Sequence, residues 1–117
     1  MSNVAQRQKR PEKQPSYFVT APKVKIVWTR LAIEDLNNAY DYIASERPVA
    51  AAHIIGLVEK AVTFVAVHPD MGRPGRVEGT RELVVPGTPF IIPYRIKNKR
   101  VEVLAMIHGA RRWPDSF

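Results

Sequence analysis

Four stretches decide the architecture of this chain: Gly72-Arg73-Pro74-Gly75-Arg76, Thr80-Arg81-Glu82-Leu83-Val84-Val85, Phe90-Ile91-Ile92-Pro93-Tyr94-Arg95-Ile96-Lys97, and Arg100 through Ile107. The first is a Gly/Pro/Arg loop. The other three are short runs rich in β-branched and aromatic residues. Pro86-Gly87-Thr88-Pro89 and Asn98-Lys99 separate them. Apolar runs split by such turn residues read as strands joined by hairpins. Pro93 has no N–H to give to a ladder, so its place near mid-run implies a bulge or a free edge. The last of these runs leads into His108-Gly109-Ala110-Arg111-Arg112-Trp113-Pro114.

Upstream, the pattern changes period. Lys23-Val24-Lys25-Ile26-Val27-Trp28 alternates polar and apolar residues and predicts a strand. Thr29 is placed to cap a helix over residues 30–45. In that helix Ala32, Leu36, Ala39, Tyr40 and Ile43 form an apolar stripe, and Leu31, Asp35, Asn38 and Tyr42 form a mixed one on another face. Pro48 suits the first turn of a second helix over 48–67. The apolar arc of that helix runs from Phe64 and Leu57 round to Val62 and Ile55, about half its circumference, wider than one core face needs. It either packs on both the sheet and the first helix, or leaves one edge for a partner. The expected fold is α+β, in the order β-α-α-β-β-β: a small, mostly antiparallel sheet with a helical hairpin packed on it.

The length, 117 residues, suits one domain. Residues 1–22 are polar, basic and proline-bearing, and read as a flexible extension in which Arg7, Lys9, Arg10 and Lys13 could meet nucleic acid. Residues 23–117 form the domain. No run of about 18 apolar residues indicates a membrane span. The absence of cysteine and of a signal-type apolar start fits a cytoplasmic protein. The formal charge is +7, and residues 71–117 hold nine basic and four acidic residues. Such a balance favours an anionic partner, or simply a soluble surface.

Few residues suggest catalysis. His53, His68 and His108 are scattered without metal-ligand spacing, and Gly72-Arg73-Pro74-Gly75 lacks the lysine and spacing of a phosphate loop. No metal or cofactor is expected. Glu82 and His108 could form a general acid/base pair with Arg81, Arg111 and Arg112 as cations, or Glu82 could pair with a nearby arginine while His108 caps the last strand. Arg111-Arg112-Trp113 is either an interface anchor or, through Trp113, a lid on the open sheet end.

In order, Trp28-Thr29, Ala32, Asp35-Leu36, Tyr42-Ile43-Ala44, Pro48, Ala51-Ala52, Pro69, Gly72-Arg73-Pro74-Gly75-Arg76, Gly79 through Val85, Tyr94-Arg95 and His108-Gly109-Ala110-Arg111 resemble the RelE/ParE toxins of type II toxin–antitoxin pairs, the ParE branch above all. The resemblance covers about residues 24–114 and implies the compact β-α-α-β-β-β toxin fold. It also implies a cognate, ParD-like antitoxin whose C-terminal segment wraps the toxin, so that operator DNA is reached only through the antitoxin. RelE-type members cut mRNA in the ribosomal A site with sheet lysines and arginines and a C-terminal tyrosine. At those positions this chain carries Glu82, Val84, Ile91 and Phe117, and only Arg111 matches. ParE-type members act on DNA gyrase without a catalytic set, so the resemblance favours a gyrase poison over a metal-independent endoribonuclease. A homologue that binds antitoxin without toxicity is the third alternative. If a ribonuclease, its candidates are Glu82, His108 and Arg111. The expected target-binding residues are Arg111, Arg112 and Trp113. The expected antitoxin-binding residues are Leu31, Asp35, Asn38, Tyr42, Leu57, Phe64, Arg73, Arg76 and Arg81.

Overall fold

The computed structural model describes residues 24–110 together with Trp113, Pro114, Ser116 and Phe117. The segment 1–22, Lys23 and the pair Arg111-Arg112 lie outside the described residues. The described elements are β1 (Lys25–Trp28), α1 (Arg30–Ala44), α2 (Pro48–Val67), β2 (Arg73–Pro74), β3 (Arg81–Val84), β4 (Phe90–Lys97), β5 (Arg100–Val103) and β6 (Ile107–His108). The sheet order is β1-β5-β4-β3-β2, and β6 also pairs with β4. Only β1 and β5 run parallel; the other pairs are antiparallel. The α+β expectation therefore holds, with two additions: the short strand β2 and a break between β5 and β6.

Both helices begin where local chemistry places them. The Thr29 hydroxyl accepts from the Ala32 N–H at 3.2 Å, which caps α1. The same hydroxyl donates to the Leu104 carbonyl at 3.1 Å and ties the helix start to the end of β5. Pro48 opens α2 at its first position, where its missing N–H has no intrahelical partner to lose. From the α1 stripe Ala32, Leu36, Ala39 and Ile43 join the core, while Tyr40 stays exposed. From α2, Val58, Val62 and Val65 pack with Leu83, Ile92, Tyr94, Val101 and Val103 of the sheet. By length and composition α2 could cross a membrane, with a mean hydropathy of 1.6 over its most apolar window. Its inner residues are core, which accounts for part of that apolarity.

Pro93 explains the break after β5. Tyr94 pairs with Val103, and Ile91 pairs with Ile107. The two residues Ile92-Pro93 thus face the three residues Leu104-Ala105-Met106, which makes a β-bulge. Pro93 points its carbonyl at the bulged strand and accepts from the Leu104 N–H at 2.9 Å. Its missing N–H falls where the ladder is interrupted anyway. The sequence reading of a bulge or a free edge resolves to the bulge, in the middle of the sheet and buried.

The bulge frees the Met106 N–H from the ladder, and Asp35 of α1 takes it up, its Oδ2 lying 3.0 Å away. Asp35, on the mixed stripe of α1, is half-buried, and its carboxylate reaches the sheet. Asp35→Ala should strand that donor and lower the unfolding free energy by about 1–3 kcal/mol. Urea denaturation of the wild type and the variant measures the difference.

Candidate functional site

The Gly72–Arg76 loop is fixed from beneath by a buried carboxylate. Glu82 sits in β3 opposite Pro93, and only 2% of it is exposed. A buried anion needs paired charge and hydrogen bonds. Arg73 Nε donates to Glu82 Oε1 at 3.0 Å. The backbone N–H of Arg76 donates to Oε2 at 2.8 Å, and the Arg76 side chain lies 3.7 Å from the same oxygen. These contacts fold the loop back as β2, in register with Glu82 and Arg81. Arg73 and Arg76 remain about half exposed, so their outer donors face solvent. The Arg76 guanidinium stacks 3.9 Å from the Trp113 ring centre.

A second support comes from Tyr94, a core residue of β4. Its hydroxyl donates to the Pro69 carbonyl at 2.7 Å and accepts from the Gly72 N–H at 2.9 Å. A Cβ on Gly72 would stand 2.5 Å from that hydroxyl and 3.0 Å from the Glu82 carbonyl, so only glycine fits. Arg81 bonds the Gly72 carbonyl at 2.7 Å and the Asp70 carbonyl at 3.1 Å. Glu82, Tyr94 and Arg81 together give the loop one conformation and present its arginines at one end of the sheet.

Beside the loop lies an apolar groove of about 790 Å3 between α2 and β3. Leu57, Ala61 and Phe64 line its helix side, Leu83, Val84 and Pro86 its sheet side, and Met71 its end next to the loop. Phe64 is 52% exposed and Val84 47%. β2 pairs only with Arg81 and Glu82, so Leu83 and Val84 form a free edge of β3 among the described residues. The wide apolar arc of α2 is thus divided: one part is core, and the Leu57–Phe64 edge is this open groove.

The residues expected from sequence fall into separate places. Leu57, Phe64, Arg73, Arg76 and Arg81 share the groove and its adjoining loop. Leu31, Asn38 and Tyr42 lie exposed on α1, away from the groove lining, and Tyr42 is 83% exposed. Met71 and Val84 were not foreseen; alternation along the third-quarter strand was the available signal for Val84. Trp113 contacts Arg76, while Arg111 and Arg112 lie outside the described residues.

The imagined Glu82–His108 acid/base pair is not formed. Glu82 neighbours Pro93 on one side of β4, and His108 neighbours Phe90 on the other. They are separated by two strand spacings and three residues, each of those distances about 10 Å. His108 instead accepts from the Ala110 N–H through Nδ1 at 3.1 Å and lies edge-on to Phe90. Both residues thus take the structural alternative: Glu82 pairs with arginines, and His108 closes the last strand. Among the described residues no group of three His, Cys, Asp or Glu could hold a metal ion.

Residues 26–113 match the family described as the ParE toxin of the type II toxin–antitoxin system parDE. The chain is 42% identical over 91 residues to the toxin candidate Y4kP of Sinorhizobium fredii, covering 78% of this chain and 94% of that protein. It is 31% identical over 87 residues to toxin RelE2 of Caulobacter vibrioides, covering 74% and 97%. Its fold is similar to a chain of the chromosomal ParDE system from P. aeruginosa, with a TM-score of 0.68, 27% identity, and coverage of 75% of this chain and 98% of that one.

Burial raises the Tyr94 phenol above its ordinary value of 10.0, against the lowering effect of its bond from Gly72. A raised folded value means that the neutral phenol's contribution is complete below about pH 10 and is lost as pH climbs through the folded value. Tyr94→Phe should cost about 1–3 kcal/mol at neutral pH. The gap between wild type and variant should narrow in alkaline buffer. Thermal melts from neutral pH to about pH 11 read both effects.

Proposed function

The chain belongs to the ParE toxin family of type II toxin–antitoxin systems, and from that premise we propose that it poisons DNA gyrase in the cytoplasm and is silenced by a ParD-like antitoxin. The observation that carries the choice of target is the loss of cations at the ribonuclease positions. Glu82 is neutralised by Arg73 and Arg76, Val84 borders the groove, and buried Ile91 packs near Gly109. None of these side chains stabilises a dianionic phosphorane, and Phe117 has no proton to transfer. A poison that acts by binding needs no such set.

The antitoxin's place is argued from the groove. An amphipathic helix laid along Leu57, Phe64 and Met71 would cover the open edge of α2. An extended segment beside it would add to the free edge of β3 at Leu83-Val84. Acidic groups on that segment would meet Arg73, Arg76 and Arg81. Arg111, Arg112 and Trp113 are assigned to the target. Operator DNA is contacted through the antitoxin.

Expression without antitoxin should induce the DNA-damage response while translation in a cell extract continues. Prompt translation arrest with mRNA cut in the A site would replace this reading with the endoribonuclease. For the antitoxin, Phe64→Asp should weaken the complex about thirtyfold or more, as loss of a buried anchor does, with little change in melting temperature. Unchanged affinity by calorimetry would place the antitoxin elsewhere. An Arg111→Ala/Arg112→Ala variant should lose toxicity yet still bind antitoxin; full toxicity would remove this end of the chain from the target surface.

A further inference from the structure

The sheet has a second set of charges on its face away from the helices, the face that Glu82 and Pro93 also share, with the Lys25–Arg100–Lys97 row four residues along β4 from Pro93. Ile26, Trp28, Val101, Val103 and Tyr94 point into the core. Alternation therefore turns Lys25, Arg100, Glu102, Arg95 and Lys97 to the opposite face. The register sets them in rows. Lys25 pairs with Arg100, and Arg100 with Lys97. Lys25, Arg95 and Lys97 are exposed and Arg100 is half-buried. Lys99 adds a cation at the hairpin tip. It sits there at φ 58°, beside Asn98 at φ 54°, in a left-handed turn where glycine would be easier than lysine. Among the described residues the salt bridges of this cluster end on one acid, Glu102, which is 2.6 Å from Arg95 and 3.8 Å from Arg100.

We propose that the Lys25–Arg100–Lys97 row, with Arg95 and Lys99, binds the phosphodiester backbone of a nucleic acid. Strands lie about 4.8 Å apart, so the row spreads three cations over about 10 Å, the reach of consecutive phosphates along one strand. A protein partner fits this surface less well. Protein interfaces are depleted in lysine and anchored by aromatic groups. Three of these five cations are lysines, and no described aromatic side chain shares the rows. Binding here is electrostatic and independent of base sequence, because no side chain is positioned to read base edges. It also holds whichever macromolecule the toxin inactivates.

The test is fluorescence anisotropy of the full chain with a short labelled DNA duplex and with a single-stranded RNA of equal length. About four phosphate contacts should make affinity fall by about two orders of magnitude between 50 and 200 mM salt. Lys97→Gln/Lys99→Gly should reduce the log–log salt slope by about 2, with a melting temperature equal to or above wild type because glycine relaxes the turn. Arg30→Gln/Arg47→Gln removes the same charge from the helical side and should leave the slope unchanged. The tighter arm identifies DNA or RNA as the ligand. The proposal is overturned by absence of binding at 50 mM salt, by equal losses in the two variants, or by a polyglutamate peptide competing as well as the nucleic acids.

Discussion

A buried carboxylate cannot stay unpaired, and Glu82 organises one whole end of this molecule by that rule. Removing one partner of a buried ion pair typically costs about 3–5 kcal/mol, because the other charge is left without compensation. Here the partners are Arg73 and the backbone and side chain of Arg76. Drawing them in folds residues 73–74 onto β3 and so creates β2. Because β2 stops after two residues, the rest of β3 keeps a free edge, and the groove with α2 opens there. The same folding leaves the outer donors of two arginines in solvent and gives Trp113 a cation to stack on. The groove, the edge and the arginine loop are thus consequences of a single desolvated anion.

The helices were legible because their signals are local. Thr29, Pro48 and the 3.6-residue stripes fixed α1 and α2 to within a residue. The three strand runs were legible from turn residues, and Pro93 marked an irregularity that sequence left open between a bulge and a free edge and that is the bulge. β2 was hidden because two residues carry no periodicity, and proline and glycine at that point signal a turn. The split of β5 from β6 was hidden because Leu104, Ala105 and Met106 are as apolar as a strand. Their departure is set by Pro93 on the neighbouring strand and by Asp35 on α1, both distant in sequence.

The candidate site was legible in part. Leu57 and Phe64 stood out because the α2 arc was too wide for one core face, and the surplus is the groove. The Arg73–Arg76–Arg81 cluster was visible as charge, but its fixed geometry depends on Glu82 and Tyr94, which sequence does not place beneath it. The Glu82–His108 pairing failed for a topological reason: strand order puts β4 between them. Asp35 belongs by helical phase to the mixed stripe, and its bond to the Met106 N–H depends on the bulge, which sequence does not place beside it.

The parallel pairing of β1 with β5 has a kinetic meaning. Contacts that join Thr29 to Leu104 span 75 residues, and among the described residues β1 has no other strand partner. Closing so long a loop loses much chain entropy before any contact rewards it, and such non-local pairing slows folding. During synthesis, α1 and α2 can form early from local sequence, while β1 must wait until β5 has been made. The apolar edge of α2 is therefore exposed before the sheet that will flank it exists. In a growing chain of this design the apolar face of the second helix is therefore made well before the strands that complete its surroundings.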